Sequence, residues 1–168
     1  MDRFIAALAK AKVDNVPFAI LKGVLPTDEI TLDHFYRYKD HLGTESKRDE
    51  IREEDIGKFP RLNDYCGRLG NFYGQPNFYL TYMVTEITNG IHADMHNDTC
   101  DGISWNCVGS TEWTFIDPDT EERITVLTEP GDAVFTRART YHETKPLGPR
   151  ASLIWMPGRN PYDVPHKV

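Results

Sequence analysis

Much of what this 168-residue sequence lacks is informative. No apolar run approaches the ~20 residues that a membrane-spanning helix needs, and the N-terminal stretch has no signal-like hydrophobic region. The sequence therefore predicts a protein with no membrane partner. Cysteine is scarce: Cys66, Cys100 and Cys107 are odd in number and lack zinc-ligand spacing, so they do not suggest a disulfide framework. Three small buried or half-buried thiols in a reducing cytoplasm are expected instead. Positive charge is also short, with 19 Lys and Arg against 26 Asp and Glu and a net charge of −7. That balance argues against duplex nucleic acid as a partner. A local basic pocket is still available, because Arg137, Arg139, Lys145 and Arg150 fall close together. No internal repeat or low-complexity tract interrupts the chain, and a single domain over 1–168 is expected.

What is present reads as short helices followed by many short strands. Residues 1–12 place Phe4, Ile5 and Leu8 on one side of a helix, and 16–21 read as a strand ending at Gly23. Thr27 is a candidate N-cap, with Asp28 and Glu29 in the first turn of a helix that Gly43 would stop. The charged run 44–56 reads as a solvated surface, and a short helix is expected over 61–69, ended by Gly70. Residues 77–87, rich in aromatic and β-branched side chains, read as a strand. Further strands are expected near 91–98, 103–108, 112–116, 122–128, 132–136, 141–145 and 150–156. Gly109-Ser110, Asp117 to Thr120, Pro130 to Asp132 and Pro146 to Pro149 supply the turns between them. This rhythm predicts a mainly β fold, a sandwich or double-sheet jelly roll. Residues 1–74 would form a helical support, 75–157 the β core, and 158–168 an irregular tail. Trp105, Trp113 and Trp155 are expected in the core.

The chemistry concentrates in His96-Asn97-Asp98 and, far downstream, His142. Residues two apart on a strand point the same way, so His96 and Asp98 can reach one point. A histidine from another strand would complete a 2-His-1-carboxylate set, which holds one face of a metal and leaves the other open, as non-haem Fe(II) oxygenases require. His92-Ala93-Asp94 is a competing H-x-D on the same strand face.

Gly109, thirteen residues after His96, and Trp113 extend the pattern. Together with His96 and Asp98 they resemble the metal-binding strand pair of JmjC-type cupins, where H-x-D is followed by G-x-K-x-W. Those distances favour 96/98 over 92/94, leaving His92 and Asp94 to line the mouth, bind substrate or face solvent. Pro130-Gly131-Asp132 with His142 resembles the second cupin motif, with Arg137 and Arg139 at its usual proline and second glycine. His142 followed by Arg150-Ala151-Ser152 resembles the H…R-x-S ending of many 2-oxoglutarate oxygenases.

The resemblance covers 75–157 and implies a cupin-like double-stranded β-helix with N-terminal helices packed on it. It implies Fe(II) held by His96, Asp98 and His142, and 2-oxoglutarate as cosubstrate. Two residues depart from the JmjC pattern: Thr111 stands in the lysine position, and Ala93 replaces a threonine before the first metal histidine. The far carboxylate of 2-oxoglutarate is therefore assigned first to Arg150 with Ser152, because a guanidinium matches a carboxylate bidentately. Thr111, Asn106 and Arg139 are the further candidates. The implied reaction is hydroxylation of a small molecule or a protein side chain, releasing succinate and CO2. The alternatives are a metal-dependent cupin oxygenase or isomerase that does not use 2-oxoglutarate, and a non-catalytic cupin-like binding module. Neither substrate identity nor oligomeric state follows from the sequence.

Overall fold

The computed structural model describes residues 2–29, 31, 33, 48–49, 62–74, 82–86, 93–157 and 166–167. Helix α1 spans Asp2–Val13 and buries Phe4, Leu8 and Ala11, spaced four and three apart so that they share one face. Helix α2 spans Leu62–Phe72 and buries Tyr65, Cys66 and Leu69. It runs through Gly70, past the expected stop, and the chain turns at Gly74 with φ 67°. Of the helix expected after Thr27, residues 25–29 are non-helical, and most of the remainder lies outside the described residues.

The strands are β1 (Phe18–Leu21), β2 (Arg48–Asp49), β3 (Tyr82–Glu86), β4 (Ala93–Asn97), β5 (Gly102–Val108) and β6 (Thr111–Ile116). They continue with β7 (Arg123–Thr128), β8 (Ala133–Thr136), β9 (His142–Pro146), β10 (Arg150–Trp155) and β11 (His166–Lys167). Two antiparallel sheets result, one ordered β1-β8-β5-β10-β3-β2 and the other β11-β4-β9-β6-β7. Chain-adjacent strands alternate between the sheets from β3 to β6 and from β7 to β10, the crossing pattern of a jelly roll. The predicted mainly β fold with N-terminal helices is what the structure has. The two-residue strands β2 and β11 were not expected, and β11 pairs with β4, aligning Lys167 with His96.

Strands β5, β8 and β10 of the first sheet are buried on both faces. The sheet's outer face, carrying Ile103, Trp105, Cys107, Phe135, Ala151, Leu153 and Trp155, packs under α1 and α2 as the main apolar core. Trp105 and Trp155 stack in parallel 6.0 Å apart, and the Trp155 indole N–H donates to Cys66 Sγ at 3.3 Å. The inner face meets the second sheet. There Phe18 stacks on Phe115 at 3.9 Å, and Val134, Trp113, Ile20 and Val126 complete a smaller apolar cluster. Beside that cluster the inner face carries the polar side chains Asn106, Arg150 and Ser152.

Two glycines hold turns that a side chain could not. Gly131 has φ 90°, and a Cβ there would meet Thr27 Cγ2 at 2.8 Å. Gly109, at φ 72° between β5 and β6, would drive a Cβ to 2.2 Å from the Pro149 carbonyl oxygen. The β5–β6 turn thus lies directly against the start of the strand that carries Arg150.

Candidate metal centre and its polar chamber

His96 near the end of β4 and His142 at the start of β9 are cross-strand partners, so their side chains leave the same face of the sheet. Their rings lie 4.4 Å apart between centroids. Asp98, just past β4, turns its carboxylate to both: Oδ2 is 3.6 Å from His142 Nε2 and 4.0 Å from His96 Nε2. One ligand atom from each of the three residues lies within 4.8 Å of the other two, close enough for a single cation to bridge them.

Hydrogen bonding settles which nitrogens face that point. His142 Nδ1 lies 2.9 Å from the Thr140 carbonyl and His96 Nδ1 lies 2.7 Å from the Asp94 carbonyl. A carbonyl can only accept, so each Nδ1 carries the proton and each Nε2 keeps its lone pair for a metal. Two neutral imidazoles and one carboxylate make a donor set of net charge −1, which suits a hard-to-borderline divalent ion such as Fe(II). Trp113 stacks against the His142 ring at 5.8 Å and Phe115 lies at 6.3 Å, so an aromatic wall backs this ligand. His142 is 7% exposed, whereas His96 and Asp98 are 13% and 16% exposed, which places the more open side at the β4 end.

The turn between β8 and β9 ties the two arms together. Arg139 donates its backbone N–H to the Asp98 carbonyl at 2.7 Å, and the next residue, Thr140, supplies the carbonyl that orients His142. Ala138 N–H donates to Asp101 Oδ1 at 3.1 Å, and Asp101 also receives Lys12 of α1 and the Tyr73 hydroxyl. Burial, reinforced by the Asp101 charge, pushes the Tyr73 phenol well above its usual range and keeps it a donor. The N-terminal helices are thereby linked to the metal arms.

Beyond the triad lies the polar part of the sandwich interior. Arg150, buried on β10 of the first sheet, reaches across to the second. Its guanidinium donates to Thr111 Oγ1 on β6 at 3.2 Å and to Thr144 Oγ1 on β9 at 3.3 Å. Thr144 is two residues from His142 on the same strand face, a separation of ~7 Å. Ser152 Oγ donates to Asn106 Oδ1 at 3.4 Å, and Asn106 Nδ2 donates to the Gly109 carbonyl at 2.8 Å. Arg150, Ser152, Thr111 and Asn106 are thus all brought to one buried polar cluster. Thr111, standing where JmjC-type cupins have lysine, meets the Arg150 guanidinium, so a cation from the opposite sheet fills that space.

Other sequence candidates separate from this group. Arg139 is exposed in the β8–β9 turn, away from the buried cluster. Asp94 is exposed and contributes its carbonyl to His96, while His92 lies outside the described residues. Thr144 is the residue that sequence reasoning missed. A threonine in a strand is unremarkable composition, and only its register beside His142 and opposite Arg150 marks it.

No family model matches the chain, and no curated protein sequence matches it. Solved structures do. A prolyl-4-hydroxylase from Pseudomonas putida superposes with a TM-score of 0.64 at 16% identity, over 93% of this chain and 100% of that one. SnoN, a non-haem α-ketoglutarate-dependent epimerase from nogalamycin biosynthesis, superposes with a TM-score of 0.59 at 18% identity, over 90% of this chain and 83% of that one. The same epimerase in complex with Fe3+, α-ketoglutarate and nogalamycin RO gives a TM-score of 0.59 at 16% identity. At such identities the likeness is one of fold. The protein has a jelly-roll fold like that of these enzymes, and it carries a His-Asp-His donor set within that fold.

Proposed function

We propose that the protein is an Fe(II)- and 2-oxoglutarate-dependent dioxygenase that hydroxylates a small molecule or a protein side chain. The observation that carries this reading is the nearness of two features, joined by His142 and Thr144 on one face of β9. The convergent His96, Asp98 and His142 stand beside a buried guanidinium, Arg150, held about two strand residues away. When bound, Fe(II) and 2-oxoglutarate supply the oxidation: dioxygen is consumed, the cosubstrate is split to succinate and CO2, and one oxygen atom enters the substrate.

This chain's own residues would do the rest. His96, Asp98 and His142 would hold the ion through one face, with both imidazoles fixed by their carbonyl acceptors. Arg150 would receive the far carboxylate of 2-oxoglutarate. Thr111 and Thr144 already accept from that guanidinium, so each hydroxyl has its own proton to offer to a carboxylate oxygen. Asn106 and Ser152 would line the same end, and Trp113 and Phe115 would keep water from the His142 side. The similar TM-scores to a hydroxylase and an epimerase support the shared scaffold, and the choice of outcome belongs to the substrate. We read the chain as one catalytic domain with a helical support, JmjC-like in its motifs, working in the cytoplasm on a substrate other than duplex nucleic acid.

Anaerobic addition of Fe(II) and 2-oxoglutarate is the test. Chelation should produce a visible metal-to-ligand charge-transfer band in the parent protein and none in His142→Ala. Metal uptake without that band would favour the cupin oxygenase or isomerase that needs no 2-oxoglutarate. No metal uptake would leave the binding module.

A further inference from the structure

Arg139 occupies a position where its residue type is costly. Its φ is 66°, in the left-handed region that a residue with a Cβ adopts only at an energetic penalty. This is the place where the second cupin motif has its glycine, and the structure shows why glycine suits it. Among the described residues two other non-glycine residues have positive φ, Asn15 at the end of α1 and Glu121 in the β6–β7 hairpin, and like them Arg139 closes a turn, with the Thr140 N–H donating to the Arg137 carbonyl at 3.1 Å.

The neighbours of Arg139 have structural duties. Arg137 Nη1 donates to both the carbonyl and the side-chain oxygen of Asn15 at 2.6 Å, and Thr140 Oγ1 donates to the Pro17 carbonyl at 3.0 Å. Arg139 differs. Its side chain is exposed, and among the described residues its guanidinium has no ion pair or hydrogen bond. Its backbone is anchored, because the N–H is bound to the Asp98 carbonyl and the next carbonyl holds His142. The residue thus carries an exposed cation on a backbone anchored between the residues that position Asp98 and His142, in a chain whose net charge of −7 would otherwise repel an anion.

We propose that Arg139 is the substrate-recognition residue of this site, binding a carboxylate or phosphate group of an anionic substrate as it docks over the open side of the metal. The proposal rests on the oxygenase reading and names the substrate class for it. A glycine there would relieve the backbone, whereas the arginine places an exposed positive charge next to the residues that hold Asp98 and His142.

The test uses the Zn(II)–2-oxoglutarate complex, which does not turn over, with phenylacetate, phenyl phosphate and uncharged phenylacetamide as probes in ligand-observed NMR. The anions should bind at least tenfold more tightly than the amide, and the better of the two identifies the group recognised. R139G should bring anion affinity down to that of phenylacetamide, keep 2-oxoglutarate and metal affinity, and melt at the same temperature as the parent or higher. R139A should lose the anions equally while retaining the strained backbone, and R139K should recover part of the preference. Equal binding of amide and anions, or anion affinity unchanged in R139G, would overturn the proposal. So would loss of 2-oxoglutarate from R139G. If the parent itself takes up no 2-oxoglutarate, the oxygenase reading falls. The anion probes on the Zn(II) form then still decide the role of Arg139.

Discussion

The two faces of β10 are both buried yet built of opposite materials. Ala151, Leu153 and Trp155 face the helices and belong to the main apolar core, while Arg150 and Ser152 face the other sheet and form hydrogen bonds there. In an ordinary sandwich the space between the sheets is the hydrophobic core. Here that role has moved outward, to the layer between the first sheet and α1 with α2. Among the described residues the interior keeps a small apolar cluster around Phe18 and Phe115, beside the buried polar side chains Asn106, Thr111, Thr144, Arg150 and Ser152. Under the proposed function, stability and chemistry are served by alternate residues of one strand. Substitutions on β10 should separate the two cleanly.

The largest expected effect lies on the helix-facing side. Trp155 is fully buried, stacks on Trp105 and donates to Cys66. Trp155→Ala removes that area and leaves a cavity, at a cost of about 3–5 kcal/mol in unfolding free energy. Urea denaturation should show the loss. Metal and cosubstrate affinity, measured under conditions where the variant is still folded, should stay near those of the parent. A variant that keeps its stability but loses Fe(II) would break the division between the faces.

Arg150→Ala tests the opposite face. If the guanidinium meets a desolvated carboxylate, its loss should cost the cosubstrate on the order of 2–5 kcal/mol, or ~30-fold or more in affinity. Calorimetry with 2-oxoglutarate would read this, with Fe(II) binding as the unchanged control. Cosubstrate affinity within about threefold of the parent would move the clamp elsewhere. Thr144→Val sharpens the point with a smaller step. It preserves shape but removes one of the hydroxyls that accept from Arg150, and a hydrogen bond to a charged group is worth about 1.5 kcal/mol, or roughly tenfold in 2-oxoglutarate affinity. An unchanged affinity in that variant would mean that Thr144 does not help to set the guanidinium.

The legibility of the sequence follows the same division. The strands from β4 to β10 could be read because turn residues separate runs of β-forming residues, and the structure places them within a residue or two of their expected limits. His96, Asp98 and His142 could be read because motif spacing encodes strand register, and Arg150 with Ser152 because residues two apart share a face. What could not be read depends on contacts between elements. A two-residue strand such as β11 shows no alternation, and only its pairing with β4 reveals it. Gly70 looked like a helix stop, yet α2 continues through it to Phe72, because packing under the sheet overrides local propensity. Arg139 stands in sequence among the clustered basic residues Arg137, Lys145 and Arg150. The structure puts it in an exposed turn, since a cluster in sequence need not be one in space.

The smallest effect tests whether buried polarity alone marks the chemical region. Asp132 is 4% exposed, as buried as Arg150, but it stands at the turn before β8 and is satisfied by structure alone. Lys22 Nζ donates to Oδ2 at 2.7 Å, the Glu129 N–H donates to the same oxygen at 2.9 Å, and the Gly23 N–H donates to Oδ1 at 2.9 Å. Burial works to raise its pKa, but the donors outweigh it and hold the carboxyl below the ordinary value of 3.8. A carboxyl lowered in the folded state binds fewer protons there than in the unfolded chain. Its contribution is therefore full above the unfolded value and is lost as pH falls through the folded one. Asp132→Asn keeps the shape but replaces one acceptor oxygen with an amide donor. Lys22 is largely exposed, so the ion pair itself adds little, and the expected loss at neutral pH is about 1 kcal/mol. The variant should also show a smaller drop in stability between pH 5 and pH 3 than the parent, measured by urea titration at each pH, with Fe(II) and 2-oxoglutarate affinities unchanged. A loss of cosubstrate binding would extend the chemical region down to this turn and blur the line between the two faces.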